Sequence, residues 1–265
     1  MPIMSRCLAT LRGIKQKFAH RLESQDDDSR IEEGSVISSS QNDAGFSAVS
    51  FSAEAEDLII NRLFDACLIR DPNYKGSFID IGAWHPVRGS NTYFFYKRGW
   101  RGINVEPNPE FISEFRRIRG EDITVNAAVS STSGALTYHR FSDGQLNGFL
   151  TQNIVDYHIG RGVEYLGCEA IECIGIEQFL CDYAPGDKGI DLLSIDIETH
   201  ELAVFSRWNF DDYRPKLICV EIHCSDVKAV QESDVAKLLY RNGYLFVSRC
   251  FHSSFFVDSS AWPWK

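Results

Sequence analysis

The chain has 265 residues, 44% of them hydrophobic, enough for one sizeable core and a small appendage. Its net charge of −10 argues against nucleic acid as the main partner, because phosphate binding needs a basic stripe. No apolar run approaches the ~20 residues that span a bilayer, the N-terminus lacks the apolar stretch of a secretory signal, and the eight cysteines form no CxxC pair, so a cytoplasmic protein with reduced thiols is expected.

Residues 1–45 differ from the rest. Leu8, Leu11, Ile14, Phe18 and Leu22 recur every three or four positions among Arg6, Arg12, Lys15, Lys17, His20 and Arg21, the pattern of a basic amphipathic helix. Such a helix over residues 1–22 either docks on an anionic membrane surface or is a weakly ordered leader with no part in catalysis. An acidic stretch and the serine-rich SVISSSQNDAG then read as a disordered linker.

Residues 46–265 read as one globular domain. The spacing of Leu58, Leu63, Phe64 and Cys67 predicts a helix within 52–70, capped by a serine. Short β-branched or apolar runs predict strands at 77–82, 101–106, 123–129, 190–196 and 216–222, suited to a sheet covered on both faces. Helical patterns lie between them at 91–98, 108–118, 176–183 and 200–207. A helix over 228–241 and an antiparallel pair at 244–248 and 254–257 close the chain. Strands alternating with helices imply an α/β, doubly wound, mostly parallel sheet. Residues 140–170 fit neither period and form either a substrate lid or a surface excursion.

The first two strands carry the sharpest signal. Asp80 precedes an Ile81-Gly82 turn, and Glu106 closes the next strand. A glycine turn followed by an acid at the end of the next strand is how doubly wound folds hold a nucleoside-containing cofactor. A dinucleotide fingerprint needs GxGxxG, but Trp84 stands where the second glycine belongs, with Pro86 two beyond. An indole there argues against a diphosphate. Glu106 can accept from both ribose hydroxyls, and Asp80 from an ammonium. A ligand with a ribose diol and an ammonium but no phosphate is S-adenosylmethionine.

Four ordered blocks carry a resemblance to the FkbM family of S-adenosylmethionine-dependent methyltransferases. They are SFSAEAEDLII, FIDIGAWHPVRGSNTYFFYKRGWRGINVEPNP, ITVNAAVSSTSGALTYH, and IDLLSIDIETHELAVF with RPKLICVEIH, together spanning about 50–225. The resemblance implies a seven-stranded Rossmann-like class I sheet and O-methylation, commonly of a sugar in polysaccharide or natural-product biosynthesis. By position it assigns Asp80, Gly82, Ala83, Asn91, Glu106 and Pro107 to the cofactor. It also implies Asn126 and Ala127 beside the adenine and Asp196 at the methyl-transfer site. The family usually has glycine where Thr199 stands, and its turn loop differs from WHPVRGSNT.

Methyl transfer to oxygen requires alignment of a hydroxyl and removal of its proton. The fourth strand ends in Asp196-Ile197-Glu198-Thr199-His200 and the fifth in Glu221-Ile222-His223. Ligands bind at the carboxyl ends of such strands, so these clusters should converge. Three uses are open. His200 or His223 is the base, oriented by a carboxylate. Alternatively Asp196, Glu198 and His223 hold a divalent metal such as Mg. In the third, Glu198 and Glu221 are structural acids. His85, after the turn, either reaches the substrate or packs on Trp84. The acceptor expected is a sugar or glycan hydroxyl; the alternatives are a small natural-product hydroxyl or carboxyl, or a non-catalytic scaffold.

Overall fold

The computed structural model describes residues 48–69, 71–185 and 189–261. The amphipathic helix and linker expected within 1–45 lie outside the described residues. The chain divides into Met1–Val49 and Ser50–Lys265, and the elements below belong to the second unit.

The strands in chain order are β1 (Ser77–Ile81), β2 (Arg101–Val105), β3 (Ile123–Val125), β4 (Ala128–Ser130) and β5 (Gly134–Phe141). They continue with β6 (Tyr165–Gly175), β7 (Ile190–Ile195), β8 (Pro215–Glu221), β9 (Tyr244–Cys250) and β10 (Ser253–Asp258). The α-helices are α1 (Glu56–Leu63), α2 (Tyr93–Lys97), α3 (Pro109–Ile118) and α4 (Gln152–Gly160). After them come α5 (Ile176–Tyr183), α6 (Glu201–Phe205), α7 (Val227–Gln231) and α8 (Asp234–Arg241).

Seven strands form one sheet in the order β3-β2-β1-β7-β8-β10-β9. β1, β2, β3, β7 and β8 run parallel, and β10 runs antiparallel between β8 and β9. This is the doubly wound, mostly parallel α/β sheet expected. Alternation assigns its two faces. Ile79, Ile81, Leu193, Ile195, Ile218 and Val220 pack with Phe179 of α5 and Phe205 of α6. Phe78, Leu192, Leu217, Cys219 and Phe255 pack with Ile60 of α1 and Phe95 of α2. Among the described residues no helix is long and apolar enough to cross a membrane, and Cys168, Cys173, Cys181, Cys219, Cys224 and Cys250 are free thiols.

Three local expectations are corrected and one is met. The strand expected at 123–129 breaks at Asn126, whose side-chain amide donates to the carbonyls of Glu106 (2.9 Å) and Pro107 (3.0 Å). The chain then enters a second sheet, β4-β6-β5. The helix expected over 228–241 is two, because Ser233 accepts the Ala236 N–H and starts a new helix. The helix within 52–70 begins after Ala55 at φ 65°, and a serine does serve its first turn as expected: Ser52 Oγ accepts the Asp57 N–H at 3.1 Å and donates to the Asp57 carboxylate at 3.0 Å. The 140–170 segment is built of the end of β5, α4 and most of β6, around a small core of Phe141, Leu150 and Val155.

Among the described residues one ion pair is wholly inside. Arg119 Nε donates to Asp122 Oδ2 at 2.9 Å, both side chains 0% exposed. Asp122 also accepts the Gly102 N–H (3.0 Å), which ties the end of α3 to β2. Breaking a buried pair leaves an uncompensated charge, typically at a cost of ~3–5 kcal/mol. Arg119→Met is expected to lower unfolding stability by about that amount in urea titration; a loss under about 1 kcal/mol would show that the pair is dispensable.

Candidate active site

The carboxyl ends of β1, β2, β7 and β8 form one rim. At the end of β1 the chain turns at Gly82, φ 79°. A Cβ there would sit 1.9 Å from the Asp196 carbonyl oxygen, so only glycine fits. The Gly82 and Ala83 amides both donate to the Val105 carbonyl at 3.0 Å, laying the turn over the end of β2. Trp84 takes the left-handed conformation, φ 49°, at the position of the missing second glycine. Its indole packs edge-on against Phe111, with centroids 6.1 Å apart.

Glu106 is 5% exposed. Its Oε2 accepts the Trp84 N–H (2.9 Å) and its Oε1 the Asn108 N–H (2.7 Å). Burial pushes this carboxyl up to about 7 against those two N–H donors, with Asp80 adding to the rise. Asp80 lies behind the turn, buried, accepting from the Thr92 hydroxyl at 2.6 Å. Burial raises its pKa, and Thr92 and Arg119 oppose the rise. Asn91 donates to Ser194 Oγ at 3.2 Å, while its Oδ1 is buried with no hydrogen-bond partner among the described residues. Asn126 is exposed, Ala127 and Pro107 are half-buried, and Ala83 is buried.

The second half of the rim is acidic. The Asp196 amide donates to the Ile81 carbonyl at 3.0 Å, fixing the end of β7 beside the turn, with Asp196 itself exposed. Glu198 and Thr199 follow in the left-handed region at φ 53° and 80°. The buried Glu201 accepts the Ile197 N–H at 2.9 Å, and burial raises its carboxyl to about 7. His223 Nε2 lies 2.9 Å from Glu221 Oε2 and 3.9 Å from Glu198 Oε2. Asp196, Glu198 and Glu221 form one close group of carboxylates, and Glu221, His223 and His252 another close group.

The predicted residues thus divide. Asp196 groups with Glu198 and Glu221, and His223 with Glu221 and His252; the expected set of Asp196, Glu198 and His223 is not one close group, although His223 lies 3.9 Å from Glu198. His200 faces the second sheet, its Nε2 3.3 Å from Ser130 Oγ and its ring 6.1 Å from Phe149, and burial lowers its pKa. His85 builds the loop: Nδ1 accepts the Val87 and Arg88 N–H groups at 3.0 Å, and Nε2 lies 3.2 Å from Glu114. Burial, then Arg88, pushes its pKa down to about 4, so the ring is neutral near pH 7. His252 is the residue that sequence reasoning missed. The Ile222 N–H donates to its carbonyl at 2.8 Å, a contact made by β10 pairing antiparallel with β8. Only that cross-strand register signals it.

The sequence model of the Methyltransferase FkbM domain matches residues 80–246. No curated protein matches the chain. Among solved structures it is similar to a Methyltransferase FkbM from Methylobacillus flagellatus KT, at 11% identity and TM-score 0.39 over 69% of this chain and 43% of that one. The chain therefore spans under half the length of that protein. It is similar to a fibrillarin pre-rRNA processing protein from Methanococcus jannaschii, at 11% identity and TM-score 0.43 over 81% and 76%. It is also similar to a Burkholderia thailandensis 1,6-didemethyltoxoflavin-N1-methyltransferase with bound 1,6-didemethyltoxoflavin and S-adenosylhomocysteine, at 13% identity and TM-score 0.36 over 77% of each chain.

Two outcomes follow from the rim itself. A left-handed L-residue costs roughly 1–2 kcal/mol, partly offset by glycine's greater unfolded-state freedom. Thr199→Gly is therefore expected to raise unfolding stability by about 0.5–1 kcal/mol; destabilisation in denaturant titration would refute strain there. Glu106 and Glu201 hold protons in the folded state at pH values where the unfolded chain has released them. Their contribution is greatest below the ordinary glutamate range, near 4.5, and falls away as pH rises to about 7. Stability should decline over that window, and Glu106→Gln and Glu201→Gln should each flatten the decline. An unchanged slope in both variants would contradict the raised values.

Proposed function

This chain belongs to the FkbM methyltransferase domain family, and from that premise we propose that it transfers a methyl group from S-adenosylmethionine to a hydroxyl of a sugar in a glycan or glycan precursor. The observation that carries the cofactor reading is Glu106 at the end of β2. A carboxylate offers about four acceptor positions. The N–H groups of Trp84 and Asn108 occupy two, and two remain for a ribose diol. The buried Asn91 Oδ1 needs a donor, which an ammonium supplies. The indole at Trp84 leaves the turn unsuited to a diphosphate. The residues present therefore fit S-adenosylmethionine.

When bound, that cofactor supplies a methyl group already activated on a sulfonium. The chain has to hold the acceptor hydroxyl in line and take its proton. The methyl would pass from that sulfur to the acceptor oxygen, and the hydroxyl proton would have to be taken by a base that this chain supplies. Asp196, exposed on the rim beside the turn, is the carboxylate this reading assigns to that proton. Alignment contributes up to ~7–11 kcal/mol and a base ~10²–10⁴-fold. The segment 140–170 is suited to cover the acceptor: a Cβ on its Gly148 would lie 3.1 Å from Glu198 Cβ, so the segment reaches the acidic rim.

Calorimetry with S-adenosylhomocysteine tests the cofactor. Wild type should bind, and Glu106→Ala should weaken binding at least tenfold, since hydrogen bonds to a charged group contribute about 1.5–3 kcal/mol each. Equal binding by the variant, or none by wild type, rejects the reading. Radiolabelled methyl donor offered with sugar, glycan and small hydroxylated acceptors tests the acceptor. Label confined to non-sugar acceptors would reject the sugar.

A further inference from the structure

The carboxylate–imidazole cluster at the end of β8 is larger than the strand ends alone suggested. His252, in the β9–β10 turn, brings a second imidazole to Glu221 and His223, the two rings 4.9 Å apart at their centroids. One donor atom from each of Glu221, His223 and His252 lies within 4.8 Å of the others. Donors bound at ~2.0–2.2 Å to one first-row ion lie roughly 3–4.4 Å apart, so small side-chain rotations close the set. His252 and Glu221 are 4% and 5% exposed, which leaves few alternative positions for either side chain. Glu54, just before α1, places Oε1 3.7 Å from His252 Nδ1, and its Oε2 accepts the His252 backbone N–H at 3.2 Å. Glu54 thus anchors the backbone of His252 and sets a carboxylate near its ring, the kind of outer support that orients ligating histidines.

We propose that Glu221, His223 and His252 bind a divalent first-row transition metal, with Glu54 positioning His252. Two imidazoles and one carboxylate suit Mn, Fe, Co or Zn, whereas Mg takes nearly all-oxygen, near-octahedral sites. This set replaces the expected Mg ligands Asp196, Glu198 and His223. Asp196 and Glu198 then stay beside the ion as proton-accepting and orienting carboxylates, joined to it through the shared Glu221. A divalent ion lowers the pKa of a hydroxyl held against it. That role, unlike the site, rests on the hydroxyl-transfer reading above.

Titration of the metal-stripped full chain with Mn²⁺, followed by electron paramagnetic resonance, tests the site. One Mn²⁺ per chain is expected, with Mg²⁺ at least tenfold weaker as a competitor. His252→Ala and His223→Ala should each weaken Mn²⁺ binding at least tenfold, while S-adenosylhomocysteine binding shows that each variant is folded. Glu54→Gln should weaken it less than His252→Ala does. Absence of stoichiometric Mn²⁺ and Zn²⁺ binding by the wild type, or undiminished binding by the His223→Ala/His252→Ala double variant, overturns the proposal. The rival use of these residues, His223 as a base oriented by Glu221, predicts that result. Failure to bind S-adenosylhomocysteine with Mn²⁺ binding intact rejects the cofactor reading alone.

Discussion

The contact on which the rim depends is between two stretches of backbone. Gly82 meets the Asp196 carbonyl so closely that no side chain fits between them. The Asp196 amide in turn holds the Ile81 carbonyl, and the Val105 carbonyl takes two amides of the turn. Three strand ends are therefore fixed to one another by main-chain groups, which have little freedom to drift. Glu106 on one side and Asp196 on the other inherit that rigidity. Group transfer depends on alignment within a fraction of an ångström. A scaffold that joins Glu106 and Asp196 through backbone would supply it, under the proposed function, without relying on long side chains.

The two ends of the same sheet handle charge differently. At the amino ends, Asp191 accepts from Lys216 at 2.6 Å and Tyr74 at 2.8 Å, and Arg214 meets Asp258 at 2.9 Å. These pairs close charge locally and hold strands in register. At the carboxyl ends the groups are carboxylates and imidazoles gathered from β1, β2, β7, β8 and the β9–β10 turn. Glu106 and Glu201 are both raised by burial, and His85 and His200 are both lowered by it. A fold optimised only for stability would not collect desolvated acids on one rim. The contrast is between closed ion pairs at the amino ends and desolvated acids and imidazoles at the carboxyl ends, where the proposed chemistry would sit.

The sheet was legible because its strands are buried on both faces, and Phe78-Ile79-Asp80-Ile81 and Leu192-Leu193-Ser194-Ile195 leave little room for another period. Breaks set by one side chain were less legible. Asn126 ends β3 by bonding to carbonyls some twenty positions earlier, and Ser233 divides two helices that share one apolar stripe. The Gly82 turn was legible because only glycine fits against the Asp196 carbonyl, and Glu106 because it closes the strand over which that turn lies. Asp80 was legible as an acid, but not that Thr92 and Arg119 enclose it. His252 was not legible, since its neighbours Glu221 and Glu54 are distant in sequence and only strand register and the start of α1 bring them together.

Thr199 shows how the rim keeps a shape that its sequence resists. The family's usual glycine would take φ 80° freely; threonine does so under strain, next to Glu198, also left-handed. Two contacts hold the turn. Glu201 accepts the Ile197 N–H, and Gly148 of the 140–170 segment lies against Glu198. Strain persists only where the surroundings over-determine it. A β-branched residue also narrows the conformations the turn can reach. What threonine removes is therefore freedom at Glu198, whose carboxylate lies 3.9 Å from His223. Threonine in place of glycine fixes Glu198 at the end of β7, while Trp84, left-handed where a second glycine would stand, donates its N–H to Glu106 at the end of β2.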